Sequence, residues 1–432
     1  MTVAVFVFSL LGAMAIGMPI AYSLLICGLA LMGFMTLTGV LPAFDSQILS
    51  QRFVDGADNF PLLAVPFFLL DGEFMNAGGL SRRIVNLAMA WVGHFRGGLG
   101  YVAVMAAIIM ASLSGSAVAD TAALSALLIP MMKRAGYQVN RSAGLIAAGG
   151  IIAPVIPPSI GLIIFGVAGN VSITKLFLAG IVPGIMMGLA IGATWWWLAR
   201  RENVEAAPRM PMAQRLKVTA NGSLALVLPV VILGGMKFGI FTPTEAAVVA
   251  AVYSFAVGMF VYRELKWNTL YQLILSAGKT TAVVMFLVAA AMVSAWLITV
   301  ANIPTEVAAM LAPFSHNKTL LMLVMMVIII VVGTALDFTP TVLILTPVLM
   351  PVVLQAGIDP VYFGILFIMN NAIGLITPPV GTVLNVVCGV AKISMDDAFK
   401  GVMPFFLAQV AVLFLLVFFP DLVLVPLKWF MR

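Results

Sequence analysis

The sequence predicts an all-α polytopic membrane protein built from two repeats, and three observations support this fold class. Hydrophobic residues form 63% of the 432 residues and charged residues 9%, whereas soluble domains carry roughly 45–50% apolar and about 25% charged residues. The two halves share a motif, and each copy holds a proline pair within an apolar stretch, Pro157-Pro158 and Pro378-Pro379. Because a proline pair removes backbone donors and interrupts a helix, each half is expected to contain a broken helix.

Membrane spans follow from the hydropathy, which averages +1.16 over the chain. A transmembrane helix needs about 20 mostly apolar residues, so the chain has room for roughly 11 to 14 crossings and partial crossings. The first segment, MTVAVFVFSLLGAMAIG, has no basic n-region. We therefore expect it to be retained as a span, since a cleaved signal peptide starts with basic residues.

Basic residues cluster in one short polar segment near the middle of the chain. Arg200, Arg201, Arg209 and Arg215 lie in this segment, and short loops rich in Lys and Arg stay in the cytoplasm. We therefore expect residues 200–217 to form a cytoplasmic linker between two halves. The net charge of +6 comes with no basic run in a soluble domain, so no nucleic-acid partner is expected.

The repeat keeps one register up to the proline pairs and slips by one residue after them, where Gly161 corresponds to Gly381. Gly136 corresponds to Gly357 and Pro157 to Pro378, at a separation of 357 − 136 = 221 positions. Each copy also carries a polar break rich in small residues, which predicts a re-entrant hairpin whose tip is covered by protein or water. An ordinary span with a small-residue packing face is the alternative. The predicted boundaries are repeat 1 at 1–199 (hairpin about 112–135, broken helix about 150–170), the linker at 200–217, and repeat 2 at 218–432 (hairpin about 333–356, broken helix about 370–390).

Two aspartates lie beside the predicted hairpin tips, Asp120 and Asp337. Ionisable residues within a membrane are costly and are usually functional, and the Ser, Thr and Asn residues around them supply the oxygen ligands that hard cations prefer. At a helix break, free carbonyl groups attract a cation and free N–H groups attract an anion. The breaks are therefore candidate sites for a cation, an anionic substrate or both, with simple packing kinks as the alternative. Asp71 and Glu73, at the end of an apolar run, are expected at the membrane interface.

The sequence lacks the motifs of several functional classes. No P-loop, HExxH or GxSxG sequence occurs, so ATP-driven transport, metalloprotease and serine hydrolase chemistry are not expected. An aspartyl protease also places two aspartates together, but it would require neither hairpins nor proline pairs. A channel would need a pore lined by rings of charge or carbonyl groups, which the sequence does not repeat. The pattern favours a secondary transporter, which is not an enzyme.

Four segments resemble the large membrane subunit, the DctM-like M subunit, of a tripartite ATP-independent periplasmic (TRAP) transporter. The resemblance extends over essentially the whole chain. It is carried by SGSAVADTAALSALLIPMMKRAGY, APVIPPSIGLIIFGVAGNVSITKLFLAGIVPG, FGIFTPTEAA and TPPVGTVLNVVCGVAKISMDDAFKGVMPF.

This resemblance implies a Na⁺-driven importer of small organic acids in the bacterial inner membrane, with no organic cofactor. It implies two inverted repeats that form an elevator-type transport domain, made of the hairpins and broken helices, and a static scaffold. It also implies two partners, a periplasmic substrate-binding protein and a small four-helix membrane subunit, the latter expected as a separate chain. C4-dicarboxylates, sialic acids, sugar acids and keto acids all remain open as substrates.

The resemblance further implies Na⁺ at two junctions between a hairpin and a broken helix, with substrate between the hairpin tips. The substrate contacts expected on this basis are Ser116, Asp120, Ser159, Asp337, Thr339, Asn371, Thr382 and Asn385. The Na⁺ contacts expected are Ser114, Gly115, Ser116, Pro157, Gly161, Gly333, Asp337, Thr377, Pro378 and Gly381.

Overall fold

A computed structural model describes residues 2–41, 44–200 and 208–431, and their regular structure is helical throughout, with no strand in these ranges. Part of the predicted linker, including Arg201, lies outside the described residues. The helices of the first half are α1 (Thr2–Ala15), α2 (Ile20–Leu37), α3 (Ser46–Ala57), α4 (Ala64–Ala77), α5 (Leu80–Val92), α6 (Gly98–Ser114), α7 (Ala117–Arg134), α8 (Val139–Gly150), α9 (Ile160–Ala168) and α10 (Ile173–Ala199). Those of the second half are α11 (Met212–Lys237), α12 (Pro243–Ala256), α13 (Trp267–Val300), α14 (Ile303–Leu311), α15 (Lys318–Ala335), α16 (Phe338–Gln355), α17 (Pro360–Gly374), α18 (Thr382–Ala391), α19 (Met395–Phe418) and α20 (Asp421–Phe430).

The helices repeat with the register of the sequence motif. Helices α7 and α16 have 18 residues each, and their first residues, Ala117 and Phe338, are 338 − 117 = 221 positions apart. Helices α6, α8, α9 and α10 likewise have α15, α17, α18 and α19 as counterparts in chain order. The orientation of the two repeats relative to a membrane stays a prediction.

The hairpins are longer than the sequence predicted. The hairpin was predicted at about 112–135, but this segment holds only the tip and the second arm, α7, because the first arm is the whole of α6. In the same way the segment 333–356 holds a tip and α16, while α15 forms the first arm. The difference arises because α6 and α15 are almost uniformly apolar, so nothing in their sequences separates an arm from an ordinary span.

The helix breaks lie at the two proline pairs. The first break separates α8 from α9 and the second separates α17 from α18, and the Pro157-Pro158 and Pro378-Pro379 peptide bonds are both cis. The broken helices begin earlier than predicted, at Val139 instead of about 150 and at Pro360 instead of about 370. The proline pair identifies the interruption, but not where the preceding half-helix starts.

The helices pack as two groups. The first, here called the frame group, consists of α1–α5 and α11–α14, in which α4 packs on α12 and α13, and α11 packs on α5. The second, here called the hairpin group, consists of α6–α10 and α15–α20, in which α7 packs on α18, α9 on α16, and α8 on α19. The groups meet where α5 and α4 contact α6, where α4 contacts α9, and where α13 and α14 contact α16.

The hydropathy of the described helices matches a polytopic membrane protein. Nine of them are long and apolar enough to cross a membrane, and five shorter apolar helices accompany them. These numbers are compatible with the expected crossings and partial crossings. The predicted linker is shorter than expected, since α11 already begins at Met212 and Arg215 is buried within it.

Candidate functional site

A cavity of about 470 Å³ lies between the two helix groups and is bounded by both hairpin tips. The frame group contributes residues of α4 and α13, and the hairpin group contributes the tips and the two helix breaks. Its lining comprises Phe68, Leu69, Gly72, Glu73, Asn76, Ser114, Gly115, Ser116, Ala117, Val118, Ala119, Ala122, Pro154, Ile160, Gly161, Thr280, Val284, Asp337, Phe338, Thr339, Leu375 and Thr382.

Four helices of the hairpin group begin at this cavity. The first residues of α7, α9, α16 and α18 all line it, represented by Ala117, Ile160, Phe338 and Thr382. The first N–H groups of a helix have no partner within the helix and carry a partial positive charge. Their convergence makes the cavity a favourable place for an anion, although no Lys, Arg or His belongs to the described lining.

The first hairpin tip is held by a left-handed residue and two serine side chains. Gly115 adopts φ +61° between α6 and α7, a conformation that glycine takes without steric cost. Ser116 accepts a hydrogen bond from the Ala119 N–H at the start of α7, and the Ser114 hydroxyl donates to Asp120 Oδ1 at 2.5 Å. The chain therefore turns sharply at the tip, and Asp120 in the first turn of α7 is buried.

The first tip rests on the first helix break. A Cβ at Gly115 would overlap the carbonyl oxygen of Pro158 and would lie 3.0 Å from the Cα of Ser159. Within the break, the Ser159 hydroxyl donates to the carbonyl oxygen of Pro154 at 2.6 Å and accepts from the Leu162 N–H at 3.2 Å. This close backbone approach is possible because residue 115 has no side chain.

The second tip is joined to the second broken helix by side-chain hydrogen bonds. Thr382, the first residue of α18, donates to Asp337 Oδ1 at 3.3 Å. Asn371, which is buried in α17, donates to the carbonyl oxygen of Phe338 at 2.7 Å. Gly333 packs against Gly374, where an added Cβ would lie 2.7 Å from the Gly333 carbonyl oxygen. Asp337 thus lies at the junction of tip and break, half-buried and facing the cavity.

The two junctions are connected through Phe338. Its ring covers Gly161 in the first turn of α9, where a Cβ would lie 2.5 Å from the ring Cζ. Its carbonyl oxygen accepts the hydrogen bond from Asn371. One residue of the second tip therefore contacts both broken helices.

Each junction contains buried oxygen atoms without a hydrogen-bond partner. Near the first tip these are Asp120 Oδ2 and Thr121 Oγ1, and near the second they are Asn370 Oδ1 and Asn371 Oδ1. Buried polar atoms are normally paired, because an unpaired one costs about 1–3 kcal/mol. Carboxylate, hydroxyl and amide oxygens together with break carbonyls are the ligands of a hard cation, so the donor set fits Na⁺ at both junctions.

The sequence-predicted site residues fall into three positions. Those that line the cavity are Ser114, Gly115, Ser116, Gly161, Asp337, Thr339 and Thr382. Those in the breaks, or in the helices beside the tips and breaks, but outside the lining are Asp120, Pro157, Ser159, Gly333, Asn371, Thr377, Pro378 and Gly381. Asn385 differs, since it is exposed and its side chain donates to the Val380 carbonyl oxygen at 2.8 Å.

Sequence reasoning missed the wall of the cavity that the frame group forms. Glu73 and Asn76 of α4 and Thr280 of α13 line the cavity, whereas Glu73 was expected at the membrane interface. Asp71, also expected there, is fully buried within α4. The available signal was the helical spacing of Gly72, Glu73 and Asn76, which places them on one face of α4.

Comparisons with known proteins identify relatives along nearly the whole chain. Residues 7–422 match the family model described as the tripartite ATP-independent periplasmic transporter, DctM component. The chain is 58% identical over 429 residues to the 2,3-diketo-L-gulonate TRAP transporter large permease protein YiaN of Escherichia coli, covering 99% of this chain and 100% of that protein. It is 36% identical over 394 residues to the C4-dicarboxylate TRAP transporter large permease protein DctM of Pseudomonas aeruginosa, covering 91% and 92%.

A solved structure shares the fold. The YdaH transporter of Alcanivorax borkumensis matches with a TM-score of 0.65, over 89% of this chain and 88% of that chain, at 15% sequence identity. At this identity the likeness concerns the fold alone. The prediction of an all-α polytopic membrane protein is confirmed.

Proposed function

Because this chain belongs to the DctM component family of tripartite ATP-independent periplasmic transporters, we propose that it is the large transmembrane subunit of a Na⁺-driven importer of a small carboxylate. The family is one of transporters and not of enzymes, and the chain is a multi-pass protein of the bacterial inner membrane. In this proposal a periplasmic substrate-binding protein delivers the substrate, and a small membrane subunit on a separate chain completes the complex.

The convergence of four helix starts on one cavity is the observation that carries this proposal. A carboxylate placed there would accept hydrogen bonds from the free N–H groups at the starts of α7 and α16, which lie at the two tips. Hydroxyl groups of Ser116, Thr339 and Thr382 would complete its contacts. These helix starts supply positive potential without a basic side chain.

Na⁺ is proposed at the two junctions. Ser114, Ser116, Asp120 and Thr121 would hold it beside the first break. Gly333, Asp337 and Asn371 would hold it beside the second, because the oxygens of these two sets lie at the tips and junctions or lack partners. The ion would bring the hairpin tip and the broken helix together and would supply positive charge next to the substrate carboxylate. Ion and substrate would both stabilise the arrangement in which the hairpin tip contacts the broken helix. By linkage, the binding of one would then raise the affinity for the other.

An elevator movement of the hairpin group against the frame group is proposed as the alternating-access step. The cavity lies at the boundary between these groups, so a displacement of one group would carry the substrate with its tips and remove the contacts to α4 and α13. Alternating access by movement of one bundle against another is the usual behaviour of repeat-built transporters.

Reconstitution tests this function. Proteoliposomes containing the chain and its small partner subunit would receive a panel of radiolabelled organic acids, with and without a Na⁺ gradient and the cognate binding protein. Uptake that requires both supports the full proposal. Uptake that requires Na⁺ alone would assign the chain to binding-protein-independent carboxylate carriers, and passive Na⁺ flux without substrate movement would indicate a channel.

Replacing both serines of the first tip should weaken the response to Na⁺. In Ser114→Ala with Ser116→Ala, Asp120 loses its hydrogen bond and the first junction loses two oxygens. A hydrogen bond to a charged group contributes about 1.5–3 kcal/mol, so we expect about a tenfold or larger rise in the Na⁺ concentration for half-maximal uptake. Ser112→Ala is the matched control, because this hydroxyl bonds only the Ile109 carbonyl oxygen in its own helix. An unchanged Na⁺ response in the double variant would remove these serines from the ion site.

A further inference from the structure

The candidate substrate cavity has two chemically different sides. On the hairpin side, the starts of α7 and α16 present N–H groups and hydroxyls, which suit a carboxylate, and the Asp337 carboxylate there belongs to the proposed second junction, where Na⁺ would offset its charge. On the frame side, the polar groups are Glu73, Asn76 and Thr280. The frame side therefore carries a carboxylate of its own and no cationic group among the described lining residues.

Glu73 is held in this wall by a defined contact. Its Oε1 accepts a hydrogen bond from the Ser276 hydroxyl of α13 at 2.7 Å, and its side chain remains half-exposed towards the cavity. Glu73 takes part in no ion pair within the described part of the chain. A negative charge fixed at this position repels a second anionic group and attracts hydroxyl donors.

We infer that the chain selects a polyhydroxylated monocarboxylate, such as a sugar acid, and that Glu73 determines this preference. The inference rests on the proposed function. The substrate carboxylate lies among the helix starts, and its hydroxyl tail reaches the frame side, where hydroxyls donate to Glu73 and bond Asn76 and Thr280. A C4-dicarboxylate would instead place its second carboxylate beside Glu73. Such a like-charge contact is an effective means of rejecting the wrong ligand.

The test measures binding by the permease itself, because the binding protein would add its own selectivity. The purified complex of this chain with its small membrane subunit would be titrated with gluconate and with succinate at saturating Na⁺, with ligand-induced thermal stabilisation as the readout. We expect the apparent affinity for gluconate to exceed that for succinate by about tenfold or more, in keeping with one unfavourable charge contact. In Glu73→Gln, whose amide oxygen still accepts from Ser276, we expect the ratio to shrink by about tenfold through weaker gluconate and stronger succinate binding.

Glu306→Gln is the matched control, since Glu306 bonds Thr2 on the frame group and does not line the cavity. It should leave the ratio unchanged. Equal or preferred binding of succinate by the wild-type chain would overturn the inference, as would absence of stabilisation by either acid. A Glu73→Gln variant with both affinities lowered alike would also overturn it, because this pattern indicates a structural role. Na⁺-dependent uptake of any organic acid in proteoliposomes is scored separately, so the proposed function can stand while this inference fails.

Discussion

Gly115→Ala is expected to abolish transport while leaving the protein folded and membrane-inserted. The added Cβ would overlap the Pro158 carbonyl oxygen and would press on the backbone of Ser159. Both of these neighbours are backbone atoms of the helix break, so no flexible side chain can move aside. The tip must then separate from the break, which disrupts the first proposed ion site and one wall of the cavity. We expect uptake at background level, measured in proteoliposomes with a Na⁺ gradient.

The control for this variant separates the steric clash from the backbone conformation. Gly136, between α7 and α8, also has a positive φ, +83°, but nothing lies within 4 Å of a Cβ added there. Gly136→Ala should lower the stability of the folded protein by only about 1–2 kcal/mol, because alanine is strained in a left-handed conformation. This variant should retain uptake. If Gly115→Ala transports as well as Gly136→Ala, the contact between tip and break is not required for function.

Asp337→Asn is expected to cause the second-largest loss, with uptake no longer responsive to Na⁺. The substitution keeps the size of the side chain and its acceptor for Thr382, but removes the negative charge from the second junction. Since interactions with charged groups contribute about 1.5–3 kcal/mol, we expect Na⁺-driven uptake to fall by about ten- to 100-fold. The measurement is the initial uptake rate as a function of external Na⁺ concentration.

Asp396→Asn provides the comparison for this variant. Asp396 is exposed in the first turn of α19 and does not line the cavity, so its charge should not affect the Na⁺ response. Both variants should elute from size-exclusion chromatography as the wild type does. A normal Na⁺ titration of Asp337→Asn would exclude its carboxylate as an ion ligand.

The repeat and its breaks could be predicted from the sequence because they depend on backbone chemistry. Proline lacks an N–H group, so Pro157-Pro158 and Pro378-Pro379 had to interrupt helices, and the interruptions lie there. The polar tips around Gly115 and Asp337 could also be predicted, because polar residues interrupt the apolar segments at these positions. The arm α6 could not be distinguished, because an arm and a full span bury equally apolar side chains.

The frame side of the cavity could not be predicted, because it exists only once α4 and α13 pack against the hairpin group. Glu73 looked like an interfacial residue, since in sequence it follows an apolar run and precedes a glycine pair. Asn385 was expected among the substrate contacts on the basis of the resemblance alone. In the structure its side chain is exposed and donates to the Val380 carbonyl oxygen, so its place at the site stays a prediction.

The position of Phe338 has a consequence for how the two ion junctions behave together. Gly115 rests on Pro158 in the first break, Phe338 covers Gly161 just beyond that break, and Asn371 holds Phe338 from the other broken helix. Phe338 therefore contacts both broken helices, in addition to the packing of α8 on α19, α7 on α18 and α9 on α16 that joins the two halves. If Na⁺ occupies both proposed sites, binding that tightens one junction would also alter the free energy of the other, equally in both directions. We therefore expect the two ions to bind cooperatively, although the proposed ligands of the two junctions are different residues.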